Sequence, residues 1–183
     1  VATNGQLFHN KNRDFSMTRG SLLAFYPEDV RRKKIAARAA IMSQAGQYNL
    51  LRLIKRQDKV AVTLALARFT EATISMVHLL NKRYTPFYKW AFFSMKTLPR
   101  LADTVAPLLT ALADIPALLK KEPTAKLHDT AFKLTEEICA AVAAELRAQG
   151  LSQEEDNFLQ SHLASLMAGI KDPQLAAMHP MAD

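Results

Sequence analysis

The stretch Asn81-Lys-Arg-Tyr-Thr-Pro-Phe-Tyr-Lys-Trp90 gathers four aromatic rings and three cations around one proline. Rings stack on nucleobases and cations pair with phosphates, so these residue types at this density could hold a nucleotide or a nucleic-acid strand. The same residues could instead plug the end of a helical domain, with hydroxyls and the indole N–H bonded to backbone. Composition alone favours the packed corner. Two further basic groups, Arg31-Arg-Lys-Lys34 with Arg38, and Arg52, Lys55, Arg56 and Lys59, lie upstream. They read either as solvated helix surface that complements a negative helix terminus or as a phosphate-binding face. Solvated surface is the expectation for the Arg31 group.

A self-contained catalytic set is not legible. The five histidines (His9, His78, His128, His162, His179) have no histidine partner three or four residues away, the spacing a helix-borne metal site needs. His78 and His162 fall near apolar stripes and read as satisfied core or boundary residues. The single cysteine, Cys139, lies on an apolar helical face, as a buried structural thiol would. The acid pairs Glu28-Asp29, Glu136-Glu137 and Glu154-Glu155-Asp156 place neighbours on different sides of a helix, which does not build a two-carboxylate Mg²⁺ centre. A glycine-rich phosphate loop ending in Lys-Ser/Thr is also missing. No catalytic or metal-binding residue is therefore nominated.

These residues must be positioned by a chain of 183 residues, about one domain by length and long enough to bury a core without disulfide or metal. Its 49% apolar and 22% charged composition is that of a soluble globular protein. Net charge is +7, split unevenly: residues 1–100 hold 18 Lys/Arg against 5 Asp/Glu, and residues 101–183 hold 6 against 12. This polarity suggests an anion-attracting face, or halves that neutralise each other within the chain or across a homodimer. With no basic-then-apolar leader and no membrane-length uncharged run, a cytoplasmic protein away from membranes is expected.

The periodicity predicts an all-α protein, an antiparallel up-and-down bundle of four to six helices, with a short irregular or hairpin N-terminal arm. The arm, or the end of a preceding domain, covers 1–20, and the bundle covers 21–178. Ser16 is the expected N-cap of a short helix over 17–25, and Tyr26-Pro-Glu-Asp29 starts a helix running to about Leu53. Asp58 opens a second, with Val62, Leu66, Phe69, Thr73, Met76 and Leu80 as its buried stripe. Pro86 interrupts, an aromatic segment follows over 87–97, and Pro99, Pro107 and Pro116 shorten or bend the next helices. Thr124 to Gln149 is the clearest helix, stopped by Gly150. Ser152-Gln-Glu-Glu155 has the spacing of a capping box for a last helix carrying Leu159, Leu163, Leu166 and Ile170.

Leu80-Asn-Lys-Arg-Tyr-Thr-Pro-Phe-Tyr-Lys-Trp90 resembles the signature Leu-Asn-Arg-Arg-Tyr-x-Pro-Tyr-Tyr-Lys-Trp of uncharacterised helical domains that follow nucleotidyltransferase domains. Supporting matches run in order through Asp14-Phe-Ser16 with Arg19, Tyr26-Pro-Glu-Asp-Val30, Gly46-Gln-Tyr48, Arg56-Gln-Asp-Lys59 and Ile170-Lys-Asp-Pro173. The resemblance implies a bundle similar to the C-terminal domain of kanamycin nucleotidyltransferase, which helps shape a nucleotide and acceptor cleft. On that reading Arg83, Lys89, Tyr88 and Arg52 contact phosphate or base, while Asn81, Tyr84 and Trp90 fix the corner. This chain then needs no cofactor of its own, and Mg²⁺ with an ATP-like nucleotide enters with a nucleotidyltransferase domain, in cis or as a separate partner. The alternative is a nucleic-acid-binding or dimerisation module.

Overall fold

A computed structural model describes residues 3, 5–9 and 11–182. Among the described residues the chain is all-α, with no strand. Helix α1 (Arg13–Leu23) is capped by the Asn12 side chain, which accepts from the Phe15 N–H at 3.0 Å. The helix therefore starts a turn earlier than Ser16 suggested. Ser16 sits inside it, its hydroxyl bonded to the Asn12 carbonyl, because Asn12 offers a cap in extended conformation first.

Helix α2 (Glu28–Met42) begins after Pro27 with Glu28 and Asp29 in its first turn, as expected. It continues through a π-helical segment (Ser43–Leu50) into α3 (Leu51–Lys55), making one long rod. Asp58 caps α4 (Lys59–Leu80) by accepting from the Ala61 N–H at 3.0 Å, and α4 folds back along the rod. All six stripe residues of α4 are buried. Gly46 explains how close the two pack: a Cβ there would fall inside van der Waals distance of the Phe69 ring and 3.1 Å from Thr135 Cγ2. By length and apolarity α4 could cross a membrane; here it is the central helix, with α2 along one side and α5 to α8 around the rest.

Helices α5 (Tyr88–Met95), α6 (Ala102–Ala113) and α7 (Ile115–Leu118) are short, as the prolines require, and α6 carries Pro107 internally. Helix α8 (Thr124–Ala148) packs on α6 and α3 and buries Leu127, Ala131, Ile138, Cys139, Val142 and Leu146. It ends in a Schellman motif: Gly150 at φ 64° donates to Arg147 O, and Leu151 donates to Leu146 O at 2.9 Å.

The capping box at Ser152 does not form. Residues 152–158 are extended or bent, and Ser152 is buried with its hydroxyl between His162 Nδ1 (2.9 Å) and the Glu154 N–H (3.2 Å). A buried histidine outcompetes the helix start for that hydroxyl. Leu159 is buried from a loop, and only Leu163–Ala168 is helical (α9). Asp172 then caps a last short helix, α10 (Pro173–Ala177).

The Arg31 group is not solvated. Arg31 and Lys33 are almost wholly buried, and both face inward contacts rather than water. The Lys33 ammonium donates to the carbonyls of His179 (2.9 Å) and Pro180 (3.1 Å), anchoring the C-terminal segment. Arg32 covers Gly169, Lys34 lies over the Tyr26 ring, and Arg38 donates to Ser75 Oγ at 2.9 Å. These cations are fastenings between elements.

Candidate functional site

The 81–90 corner is built on the C-terminal end of α4, whose last four carbonyls need partners. Asn81 Nδ2 takes Val77 O at 2.7 Å, and the Arg83 N–H takes His78 O at 2.9 Å. Leu79 O accepts from the Lys82 N–H (3.1 Å) and from Arg31 Nε (3.0 Å). Leu80 O accepts from Gln149 Nε2 at 2.9 Å. Lys82, at φ 52°, occupies the left-handed position of a Schellman motif normally held by glycine. Every carbonyl is thus satisfied, by the motif itself and by groups from α2 and the end of α8.

The remaining bonds of Asn81 go to residue 100: Nδ2 donates to Arg100 O at 3.1 Å and Oδ1 accepts from its N–H at 3.0 Å. Arg100 in turn pairs with Glu145 at 2.8 Å, and Gln149 bridges Arg31 to Glu145. Tyr84 stacks within 5 Å of Phe25 and Tyr26 and donates its hydroxyl to Leu22 O at 2.9 Å, tying α1 to the corner. Phe25 and Leu101, beside these contacts, hold left-handed φ values of 71° and 66°, costly for bulky side chains. Asn81 and Tyr84 are therefore positioning residues whose polar groups are engaged internally.

Arg83, Lys89, Tyr88 and Trp90 are exposed. Trp90, expected to fix the corner, is 59% accessible and does not plug it: α5 turns Ala91 and Met95 inward instead. The structure also separates residues that the sequence grouped. Tyr88 faces an apolar cleft of about 600 Å³ with Leu66, Thr70, Glu71, Thr85, Pro86 and Ala113. Arg83 lines a different, polar cleft of about 350 Å³ with Lys82, Tyr84, Ser94, Thr97 and Leu98. Trp90 lies one turn before Ser94 on the same side of α5, and Lys89 Nζ sits 5.8 Å from its ring centroid. Arg52 does not join them. Its guanidinium, on α3, stacks 3.8 Å over Tyr48 of the π-helical segment, and the 22 residues of α4 set that end of the bundle about 30 Å from the corner.

Sequence reasoning missed Ser94, Thr97 and the exposed Phe93. The readable signal was helical spacing from Trp90 through Ser94 to Thr97, which sets all three on one side. Ser94 is fixed from beneath: His78 donates from Nδ1 to Ile74 O at 2.8 Å, so its Nε2 receives the Ser94 hydroxyl at 3.1 Å. Burial lowers the pKa of His78 below its usual 6.5, with the Ile74 bond opposing. His162 is likewise a satisfied core residue, bonded to Ser152 and Asp156 O. Burial, and secondarily Glu136, raises the Cys139 thiol well above its usual range, as for an inert structural cysteine. Among the described residues, no three His, Cys, Asp or Glu side chains gather as a metal-binding group.

The corner closes the segment that can be compared with known families. Residues 1–91 match the model of a domain of unknown function, DUF4037. The match covers α1 to α4 and ends just after the corner, so α5 beyond Ala91 and all of α6 to α10 lie outside it. No curated protein and no solved structure matches the chain significantly.

Proposed function

We propose that this chain is the helical accessory part of a nucleotidyltransferase-type protein, and that the surface over Arg83, Lys89 and Trp90 helps to position nucleotide or acceptor. The observation that carries the reading is the division of labour at the corner. Asn81 and Tyr84 are occupied in building it, while Arg83 and Lys89 are left exposed, with no ion pair among the described residues. Strained backbone at Phe25, Lys82 and Leu101 surrounds that surface, as it does at sites where geometry is held for a ligand. The resemblance of residues 80–90 to domains that follow nucleotidyltransferases supplies the reaction class. The catalytic carboxylates, Mg²⁺ and most of the nucleotide contacts would come from that other domain.

Calorimetric titration of ATP with Mg²⁺ into the chain together with its nucleotidyltransferase domain tests this. Arg83→Ala and Lys89→Ala are each expected to weaken binding about tenfold, the loss of one charge-assisted hydrogen bond. Arg52→Ala, about 30 Å away, is expected to change nothing. Unchanged affinity in both corner variants would remove the role assigned to them.

A further inference from the structure

The exposed side of α5 carries more than a mononucleotide site needs. Between Glu71 and Asp103 the sequence holds Lys82, Arg83, Lys89, Lys96 and Arg100 and not one carboxylate. Arg100 is paired with Glu145, leaving four cations on a surface that also displays Trp90 and Phe93, 59% and 65% accessible. The rings and cations interleave: Lys89 lies 5.8 Å from the Trp90 centroid, and Lys96 lies 5.5 and 5.6 Å from those of Phe92 and Phe93. Trp90, Phe93 and Ser94 follow one side of α5 toward the polar cleft at Lys82 and Arg83, which Ser94 lines together with Thr97 just past the helix end.

Aromatic faces alternating with exposed cations, beside a polar cleft of nucleotide size, complement one chemistry in particular. Bases stack on the rings while the connecting phosphates meet the cations. A protein partner would have to bring acids into register with every lysine and an apolar surface for each ring; a single strand carries both in its repeat.

We infer that the acceptor taken by this corner is the end of a single-stranded nucleic acid, its terminal phosphate at Lys82 and Arg83 and the adjoining bases on Trp90 and Phe93. The inference rests on the reading of this surface as nucleotide- or acceptor-facing. Duplexes fit less well, because their bases are already stacked and unavailable to the rings.

Trp90 is the single tryptophan, so its fluorescence reports stacking directly. Titration with an oligothymidylate or oligouridylate of about twelve nucleotides is expected to quench it. Affinity should fall between about 50 and about 200 mM salt with a log–log slope near −2, for about three phosphates neutralised. Lys89→Ala combined with Lys96→Ala should reduce that slope to about −0.7. Trp90→Ala should weaken binding roughly tenfold, followed by anisotropy of labelled strand, while Trp90→Phe keeps most of it. All these side chains are exposed, and helix content by circular dichroism confirms that the variants fold. Failure of either oligonucleotide to bind at the lower salt, with ATP still bound by the protein joined to its nucleotidyltransferase domain, would overturn the strand but leave the proposed function standing. A duplex binding as tightly as the single strand would also overturn it. Blue-shifted Trp90 emission on phosphatidylglycerol vesicles, without oligonucleotide binding, would assign the surface to a membrane instead.

Discussion

Lys82 holds φ 52° with a full side chain where a helix stop would ordinarily use glycine. A left-handed conformation costs an L-residue about 1–2 kcal/mol, and glycine's extra unfolded-state freedom returns about 0.5–1 of that on substitution. Lys82→Gly is therefore expected to raise stability by about 0.5 kcal/mol, read as a higher urea midpoint. Under the single-strand inference, it should weaken oligonucleotide binding at the same time. At His78 the sign follows from its depressed pKa. The unfolded chain takes up a proton near pH 6.5 before the folded chain does, so stability is full above that value and declines as pH falls toward the folded pKa. His78→Gln is expected to flatten the part of the pH dependence that begins below 6.5, measured as denaturant midpoints at neutral and mildly acidic pH.

Element by element, the sequence was most readable where burial follows a single period. The stripe of α4 and the caps at Asp58 and Gly150 stand where periodicity and turn chemistry put them, because each depends on residues within a few positions. The failures are non-local. Ser152 satisfies a capping pattern, yet its hydroxyl goes to His162, ten residues away. Arg31 looked solvated by type, although the stripe Ile35, Ala39 and Met42, extended back one turn, passes through it. Its partners, Leu79 O and Gln149, lie 48 and 118 residues away and leave no mark in its neighbourhood. The corner residues stood out by composition and by resemblance, but only geometry sorted the half-buried braces Asn81 and Tyr84 from the exposed Arg83 and Lys89. A test at this scale concerns Gly46. Gly46→Ala gains about 1 kcal/mol in helix propensity but overpacks against Phe69 by about 1–3 kcal/mol. A net loss of about 1 kcal/mol is expected, and adding Phe69→Leu should cost less than the two single changes summed. Chemical denaturation of the four proteins measures it.

For the molecule as a whole, the basic and acidic halves are fastened at one place. Arg31 from the first half and Gln149 from the second both cap the end of α4, and Arg100 reaches Glu145 across the same junction. The polarity read from composition is thus partly neutralised within the chain at Arg100 and Glu145, while Lys82, Arg83, Lys89 and Lys96 stay exposed around α5. The fastening also bears on the order in which the protein assembles. The segment that matches the domain family, residues 1–91, includes α4 but not the glutamine that closes it. Made alone, that segment would leave Leu80 O without its Gln149 donor and bare the apolar side of α4 that meets α6 and α8. A 1–91 polypeptide is expected to give a broad, weakly cooperative melt and fast amide exchange in α4, whereas the whole chain protects those amides. The smallest cooperative unit is then wider than the region by which relatives are recognised, and the corner sets only after residue 149 has arrived. During synthesis Gln149 follows α4 by some seventy residues of chain, so the exposed surface over Arg83, Lys89 and Trp90 is braced only once α8 has been made.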